Sequence, residues 1–150
     1  MRLEEELYTT KFTSEIQKVT VNLIFTSHWI QTKINKYLKE FGLTTEQFNV
    51  MRILKGKYPE KMCVKNIGMR MIEKNSNVPR ILDRLEKKGY ITRQQSNEDR
   101  RETVTTLTES GLSILEKASS LLLEKEIGMM NINETTALEL NAILENIRNS

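Results

Sequence analysis

Positively charged side chains recur at helical spacing between residues 76 and 88. Ile81, Leu82 and Leu85 form the apolar stripe of a predicted helix here, so the charged positions face outward. At about 3.6 residues per turn, the outward positions are Asn77, Arg80, Arg84, Lys87 and Lys88. A guanidinium one turn from a helix N-terminus suits the edge of a guanine in the DNA major groove, which makes Arg80 the candidate base-reading residue. The competing interpretation is a solvated helix face.

The start of this helix offers further polar groups. Ser76 is the predicted N-cap, and Pro79 fits the first turn because its missing N–H costs little there. Near the positive end of the helix dipole, Ser76 and Asn77 can contact a phosphate or a base. Arg84 can reach the DNA backbone, or it can pair with Asp83 or Asp99.

A second charged cluster lies in the polar segment between two predicted strands, Tyr90–Arg93 and Glu102–Leu107. Its sequence is Ser96-Asn97-Glu98-Asp99-Arg100-Arg101. A guanidinium on a projecting loop can enter a narrow, negative minor groove. Asp99 lies two residues before Arg101, where its carboxylate can hold that guanidinium in one pose. The competing interpretation is a solvated turn rich in charge.

The remaining elements must position these two clusters. Apolar periodicity and capping signals predict helices over 14–41, from Thr44 to Gly56, over 64–73, over 76–88, from Thr108 to about Gly128, and from Asn133 onward. The third helix is expected to bury Ile67, Met71 and Ile72. The last is expected to bury Ala137, Leu140, Ile143, Leu144 and Ile147. A short helix, a turn, a second helix and a hairpin together predict a winged helix-turn-helix.

Composition and charge limit the function classes. One cysteine and one histidine among 150 residues exclude a disulfide within the chain and a cysteine- or histidine-rich metal site. Residues 62–107 carry 10 basic and 6 acidic side chains, a net charge of +4, whereas residues 108–150 carry −4. A basic middle suggests a polyanionic partner, although an unevenly charged surface explains it as well. No segment is apolar enough for a membrane or a signal peptide, so a cytoplasmic protein without membrane contact is expected.

Three motifs resemble the MarR family of bacterial transcriptional regulators. They are Asp83-Arg84-Leu85-Glu86-Lys87-Lys88-Gly89-Tyr90-Ile91, Asn97-Glu98-Asp99-Arg100-Arg101, and Leu107-Thr108-Glu109-Ser110-Gly111. The upstream spacing Ile67-Gly68…Met71…Ser76…Arg80 fits the same pattern. The implied fold class is mainly α, with α+β winged helix-turn-helix character, six helices and a two- to three-stranded wing sheet.

The resemblance also implies how the chain is organised. Residues 1–150 would form one domain, with dimerisation helices at 1–42 and 112–150 and a DNA-binding module at 43–111. The partners would be a second copy of the chain and a pseudo-palindromic operator in double-stranded DNA. Arg101 would be the minor-groove residue, Asp99 its partner and Arg80 the recognition-helix arginine. Two departures stand out: Pro79 replaces the usual Thr or Ser, and Gly68 replaces the usual Ala, loosening its helix by up to ~1 kcal/mol.

Apolar residues in the last two helices extend around more than one helix face, which favours a homodimer. Packing within one chain is the alternative. The resemblance further implies a repressor that a small aromatic or phenolic effector releases from its operator. The candidate effector residues are His28, Trp29, Tyr37, Phe48 and Met51, which are equally compatible with an ordinary core. Cys63 is interpreted as a structural cysteine at a small first strand.

The two competing function classes are an enzyme and a helical adaptor. The sequence has no phosphate-binding glycine loop and no set of nucleophile, base and orienting residue, so no enzyme and no cofactor are predicted. A helical dimeric adaptor that does not bind DNA would explain the terminal helices but leaves the arginine-bearing tip without a role. Duplex binding that weakens steeply with salt separates a DNA-binding protein from an adaptor.

Overall fold

A computed structural model of the chain describes residues 2–9 and 11–149. The elements are α1 (Leu3–Glu6), α2 (Glu15–Lys39), α3 (Thr45–Lys55), β1 (Met62–Cys63), α4 (Val64–Arg70), α5 (Val78–Lys87), β2 (Ile91–Gln95), β3 (Thr103–Leu107), α6 (Glu109–Met130) and α7 (Glu134–Arg148). The predicted order of helices and hairpin is confirmed. The described residues add one short helix, α1, to the six predicted.

Local capping signals fix most helix ends where the sequence predicts them. Thr44 accepts a hydrogen bond from the Gln47 N–H at 3.2 Å, and the Gln47 side chain accepts one from the Thr44 N–H at 3.3 Å, completing a capping box. Thr108 and Asn133 cap α6 and α7 through their side chains. Gly89 follows α5 with a φ of 73°, the left-handed conformation that glycine adopts without strain.

The three strands form one antiparallel sheet in the order β1-β3-β2. Gln94 and Gln95 pair with Val104 and Thr103, so β2 extends two residues beyond the predicted strand. The loop is closed by a hydrogen bond of 2.9 Å from the Ser96 N–H to the Glu102 carbonyl. The projecting tip is therefore short and supported on both sides by paired backbone.

One apolar core contains residues of the sheet and of the helices α2 to α6. Its most deeply buried side chains include Leu38, Met51, Leu54, Ile67, Met71, Leu82, Leu85 and Ile91. They come from the C-terminal end of α2, from α3, α4 and α5, and from β2. Because α5 and β2 share this core, the candidate recognition helix and the wing are held in a fixed relation.

The terminal helices are much less buried than the sequence predicts. The expectation that α7 buries Ala137, Leu140, Ile143, Leu144 and Ile147 is wrong for the isolated chain: α7 buries no residue, and Ile143 is 55% exposed. Apolar residues of α2 and α6, such as Ile24 and Ile127, are exposed as well. Periodicity identified the apolar face correctly but does not reveal that the chain leaves that face uncovered. None of the helices in the described residues is both long and apolar enough to span a membrane.

Candidate nucleic-acid interface

The helix α5 presents a charged outer surface on a firmly anchored inner one. Val78, Ile81, Leu82 and Leu85 are buried, whereas Arg80, Arg84 and Lys87 are exposed, as the sequence predicts. Arg80 and Arg84 open onto one cleft of about 270 Å³ between α5 and the N-terminal end of α3. The described residues contain no salt bridge to Arg80, Arg84 or Lys87, so of the two alternatives for Arg84 the pairing with Asp83 or Asp99 is absent.

The cap of α5 differs from the prediction by one residue. Asn77, not Ser76, is the N-cap, because its side-chain oxygen accepts a hydrogen bond from the Arg80 N–H at 3.1 Å. The Ser76 hydroxyl instead donates to the Glu73 carbonyl at 2.8 Å and closes the turn before the helix. Both residues still lie at the positive end of α5, where Asn77 is exposed and Ser76 is half-buried.

A hydrogen bond to α3 holds the turn between α4 and α5 in place. The Ile72 N–H donates to the Asn49 side chain of α3 at 2.9 Å, a contact that sequence reasoning missed. Met71 is buried as predicted, but Ile72 is 86% exposed, so its predicted burial is wrong. The helix ends at Arg70 and Met71 is extended, and successive side chains of an extended segment point in opposite directions.

The wing tip positions its arginines through the backbone. Asp99 accepts a hydrogen bond from the Arg101 N–H at 2.9 Å, forming a local turn. The described residues contain no ion pair between the Asp99 carboxylate and the Arg101 guanidinium, so the expected contact with the guanidinium itself is replaced by this backbone contact. The Arg100 and Arg101 side chains are exposed. The tip therefore offers two guanidinium groups to solvent on an ordered loop.

An ion-pair cluster that the sequence analysis missed joins the wing to α5. Arg93 of β2 lies 2.8 Å from the Asp83 carboxylate and 2.5 Å from that of Glu86. The hydrogen bond from Arg93 lowers the pKa of Glu86, and the same contact raises the pKa of Arg93. Asp83 and Glu86 lie one helical turn apart, a spacing that could have indicated a shared cation. This cluster fixes the wing against the recognition helix.

Lys88 points away from the outer surface of α5. Its ammonium donates to the Gly42 carbonyl at 2.5 Å and to the Gln47 side chain at 2.9 Å. Burial lowers its pKa, and the charge of Arg84 lowers it further. The charged group of Lys88 is therefore engaged within the fold, although the residue is exposed, and the expectation that Lys88 contacts DNA stays a prediction.

The five candidate effector residues do not line one pocket. Phe48 and Met51 are buried in the core and Tyr37 packs against it, whereas His28 and Trp29 are exposed on α2. A cavity of about 560 Å³ lies elsewhere, between α3 and residues 112–126 of α6. Its lining includes Arg52, Lys55, Leu115, Glu116, Ser119 and Leu122. Cys63 is partly buried at the start of α4.

The sequence is similar to a family model and to known transcriptional regulators. The MarR family model matches residues 43–103. The transcriptional regulator SarZ of Staphylococcus haemolyticus is 37% identical over 92 residues, 61% of each chain. SarZ of Staphylococcus aureus strain USA300 is 31% identical over 117 residues, 78% of this chain and 75% of the relative.

Solved structures share the fold at lower sequence identity. A complex of Staphylococcus aureus MepR with DNA has a TM-score of 0.78 and 22% identity, covering 93% of this chain and 98% of MepR. The organohalide-sensing regulator RdhR, solved with 2,4-dichlorophenol, has a TM-score of 0.80 and 22% identity, covering 91% of this chain and 80% of RdhR. With the winged module, its basic outer surface and the SarZ relatives taken together, the chain belongs to the MarR family of DNA-binding transcriptional regulators, which are not enzymes.

Proposed function

We propose that the protein is a homodimeric repressor that reads a specific operator with residues 43–111 and dimerises through residues 1–42 and 112–150. The observation that carries the proposal is the outer surface of α5, where exposed Arg80, Arg84 and Lys87 have no salt-bridge partner in the described residues. This surface lies beside a wing that carries two further exposed arginines. Operator binding also implies that the protein acts in the cytoplasm.

Each residue of the interface has a proposed role. Arg80 reads a guanine edge, and Arg84 and Lys87 contact phosphates because they lie farther along the helix. Asn77 contacts a phosphate at the positive end of α5, whereas the Ser76 hydroxyl, which donates its proton to the Glu73 carbonyl, accepts from a base N–H. Arg101 enters the minor groove, Arg100 contacts the adjacent backbone and Asp99 shapes the tip. The MepR–DNA complex, which has the same fold, supports this arrangement.

Replacing Arg80 with alanine is expected to weaken operator binding by about 1–3 kcal/mol and to relax the preference at one base position. The residue is exposed, so the fold is expected to remain intact. Binding is measured on the selected operator and on random DNA of the same length. An equal loss on both DNAs would make Arg80 a phosphate contact, and absence of duplex binding by the unmodified protein would exclude the proposed function.

The dimer proposal rests on the apolar residues that the terminal helices expose. Sedimentation at micromolar concentration is expected to give twice the chain mass of 17.5 kDa. Ile143→Glu places a charge on the exposed face of α7 and is expected to shift the protein to monomer, because an unpaired buried charge is costly. Ile72→Glu is the matched control, since Ile72 is also an exposed isoleucine but lies in the proposed DNA-binding module. A monomeric unmodified protein contradicts the dimer.

A homodimer reads two half-sites about one helical turn, ~34–36 Å, apart. Protection of a single asymmetric half-site would contradict a symmetric dimer. Occupancy of such a site within a promoter is the physical basis of the proposed repression.

The effector proposal moves to the cavity between α3 and α6, which lies where the dimerisation helices meet the DNA-binding module. Its leucines suit an aromatic ring, and Arg52 and Lys55 suit a phenolate or carboxylate. The RdhR complex supports 2,4-dichlorophenol as a first probe. The probe is expected to weaken operator binding roughly 5- to 150-fold, the usual range of allosteric coupling.

Lys55→Met is expected to reduce the effect of the phenol, whereas Lys57→Met, outside the cavity, is expected to preserve it. Binding of the probe is followed by titration calorimetry and operator release by fluorescence anisotropy. Release that persists in the Lys55 variant would place the effector elsewhere.

A further inference from the structure

The helices α2 and α5 end in the same way, and their ends lie close together. At the end of α2 the Leu43 N–H donates to the Leu38 carbonyl at 3.1 Å, and Gly42 has a φ of 64°. At the end of α5 the Tyr90 N–H donates to the Leu85 carbonyl at 3.0 Å. Both are glycine-terminated motifs in which a backbone N–H beyond the helix satisfies a carbonyl of its last turn.

The Lys88 ammonium joins these two ends. It is the C-cap of α5, and it donates to the Gly42 carbonyl just beyond α2. Carbonyl groups at a helix C-terminus carry partial negative charge, so a cation between two such ends is favourable. Lys88 therefore connects the recognition helix to a segment 46 residues earlier in the chain.

Lys88, Gly42 and Gln47 together form the Lys88 cluster, and Gln47 adds the start of α3 to it. Gln47, only 4% exposed, accepts from Lys88 and also from the Thr44 N–H. The same oxygen thus completes the capping box of α3 and holds the ammonium. Loss of the ammonium would leave the Gly42 carbonyl without the hydrogen bond that ties it to α5.

The position of this cluster in the fold gives it a functional consequence. The helix α2 packs mainly on α3 and α6, and α5 packs mainly on α3, α4 and β2. The relative orientation of α2 and α5 is therefore transmitted through α3 and through the Lys88 cluster. In a dimer held by the terminal helices, that orientation sets the distance between the two recognition helices.

We infer that Lys88 is a positioning residue that fixes α5 relative to the α2–α3 junction and thereby sets the half-site spacing that the dimer accepts. This inference rests on the proposed function. It assigns to Lys88 a role distinct from that of Lys87, the adjacent lysine with the same charge. Lys87 contacts a phosphate, whereas Lys88 determines which distance between operator half-sites the dimer binds.

The test compares operators that differ by one base pair between the half-sites. The unmodified protein is expected to prefer the correct spacing about tenfold, and Lys88→Met is expected to reduce that preference to about twofold with its salt dependence unchanged. Lys87→Met is the matched control: it should lower the slope of log affinity against log salt by about 0.9 and keep the spacing preference. Thermal unfolding of both variants shows that each is folded.

Two results would overturn the inference. In one, Lys88→Met lowers the salt slope and keeps the spacing preference, which makes Lys88 a phosphate contact. In the other, neither quantity changes.

A second measurement needs no DNA and separates this inference from the proposed function. Spin labels are placed on Ser27→Cys in α2 and Arg80→Cys in α5, in a Cys63→Ser background, and the labelled chain is diluted with unlabelled protein. The label-to-label distance distribution is expected to broaden in Lys88→Met and to stay narrow in Lys87→Met. An unchanged distribution in Lys88→Met overturns the positioning role even if the protein binds DNA. DNA binding is judged on the unlabelled protein that retains Arg80, because Arg80→Cys removes the proposed base contact. Broadening in Lys88→Met, together with no duplex binding by that unlabelled protein, would contradict the proposed function alone.

Discussion

Arg101→Ala is expected to weaken operator binding by about 2–3 kcal/mol, roughly 30- to 150-fold, without changing the fold or the dimer. The Arg101 side chain is exposed at the wing tip, and its guanidinium forms no ion pair with another described residue, so its loss removes nothing from the core. In the narrow minor groove the same guanidinium meets a concentrated negative potential. The measurement is operator affinity at fixed salt, with thermal unfolding as the check on the fold.

Substitutions of Asp99 distinguish a carboxylate that positions Arg101 through its backbone N–H from one that binds the guanidinium. Its carboxylate oxygen accepts the Arg101 N–H, a contact that an asparagine oxygen can also make. Asp99→Ala is therefore expected to give a smaller loss than Arg101→Ala, and Asp99→Asn is expected to retain most of the affinity. If the Asp99 carboxylate instead formed an ion pair with the guanidinium, Asp99→Asn and Asp99→Ala would lose similar operator affinity, because both remove the negative charge.

A double-mutant cycle tests whether the two residues act together. The Asp99→Ala, Arg101→Ala double variant is expected to bind no worse than Arg101→Ala alone, since Asp99 acts only through the arginine. Additive losses would show that Asp99 contributes independently. Arg100→Ala is the matched control at the neighbouring position and is expected to lower the salt slope with a smaller loss of affinity. Full operator affinity in Arg101→Ala would remove the minor-groove role.

The parts of the fold that the sequence predicted are those determined by local chemistry. Three caps, Thr44, Thr108 and Asn133, each accept a hydrogen bond from a backbone N–H three residues away. Their neighbours in sequence are therefore sufficient to identify them. The left-handed Gly89 and the apolar stripe of α5 are equally local. This is why the winged helix-turn-helix and the outward positions of Arg80 and Arg84 were both predicted.

The parts that the sequence did not predict depend on contacts between distant segments. Lys88 has the same spacing as a solvent-facing residue, but its ammonium reaches a carbonyl 46 residues away. Arg93 was read as an ordinary strand residue, although it binds two carboxylates of α5. The apolar face of α7 was identified, but its predicted burial is wrong for the isolated chain, because helical periodicity does not show whether a face is covered.

Gly111→Ala is expected to destabilise the protein by about 3 kcal/mol, at the upper end of the range for overpacking. A Cβ at this position would collide with the Tyr90 carbonyl oxygen and lie 2.9 Å from its carbonyl carbon. That carbonyl cannot move away easily, since it accepts the Thr108 N–H at 3.0 Å. The Thr108 hydroxyl accepts the Gly111 N–H and donates to the Gly89 carbonyl, so the end of α5 and the start of α6 are closely joined.

Gly68→Ala is the matched control for the same substitution in a second helix. A Cβ at Gly68 would lie 3.9 Å from the Val78 side chain, which is an ordinary contact. The added methyl group is therefore expected to stabilise α4 by up to ~1 kcal/mol, the helix-propensity difference between alanine and glycine. Thermal unfolding measures both variants, and the melting temperatures are expected to move in opposite directions. A Gly111→Ala protein as stable as the unmodified one would mean that α6 can shift away from Tyr90, so the junction between the recognition helix and the dimerisation region would be adjustable rather than fixed.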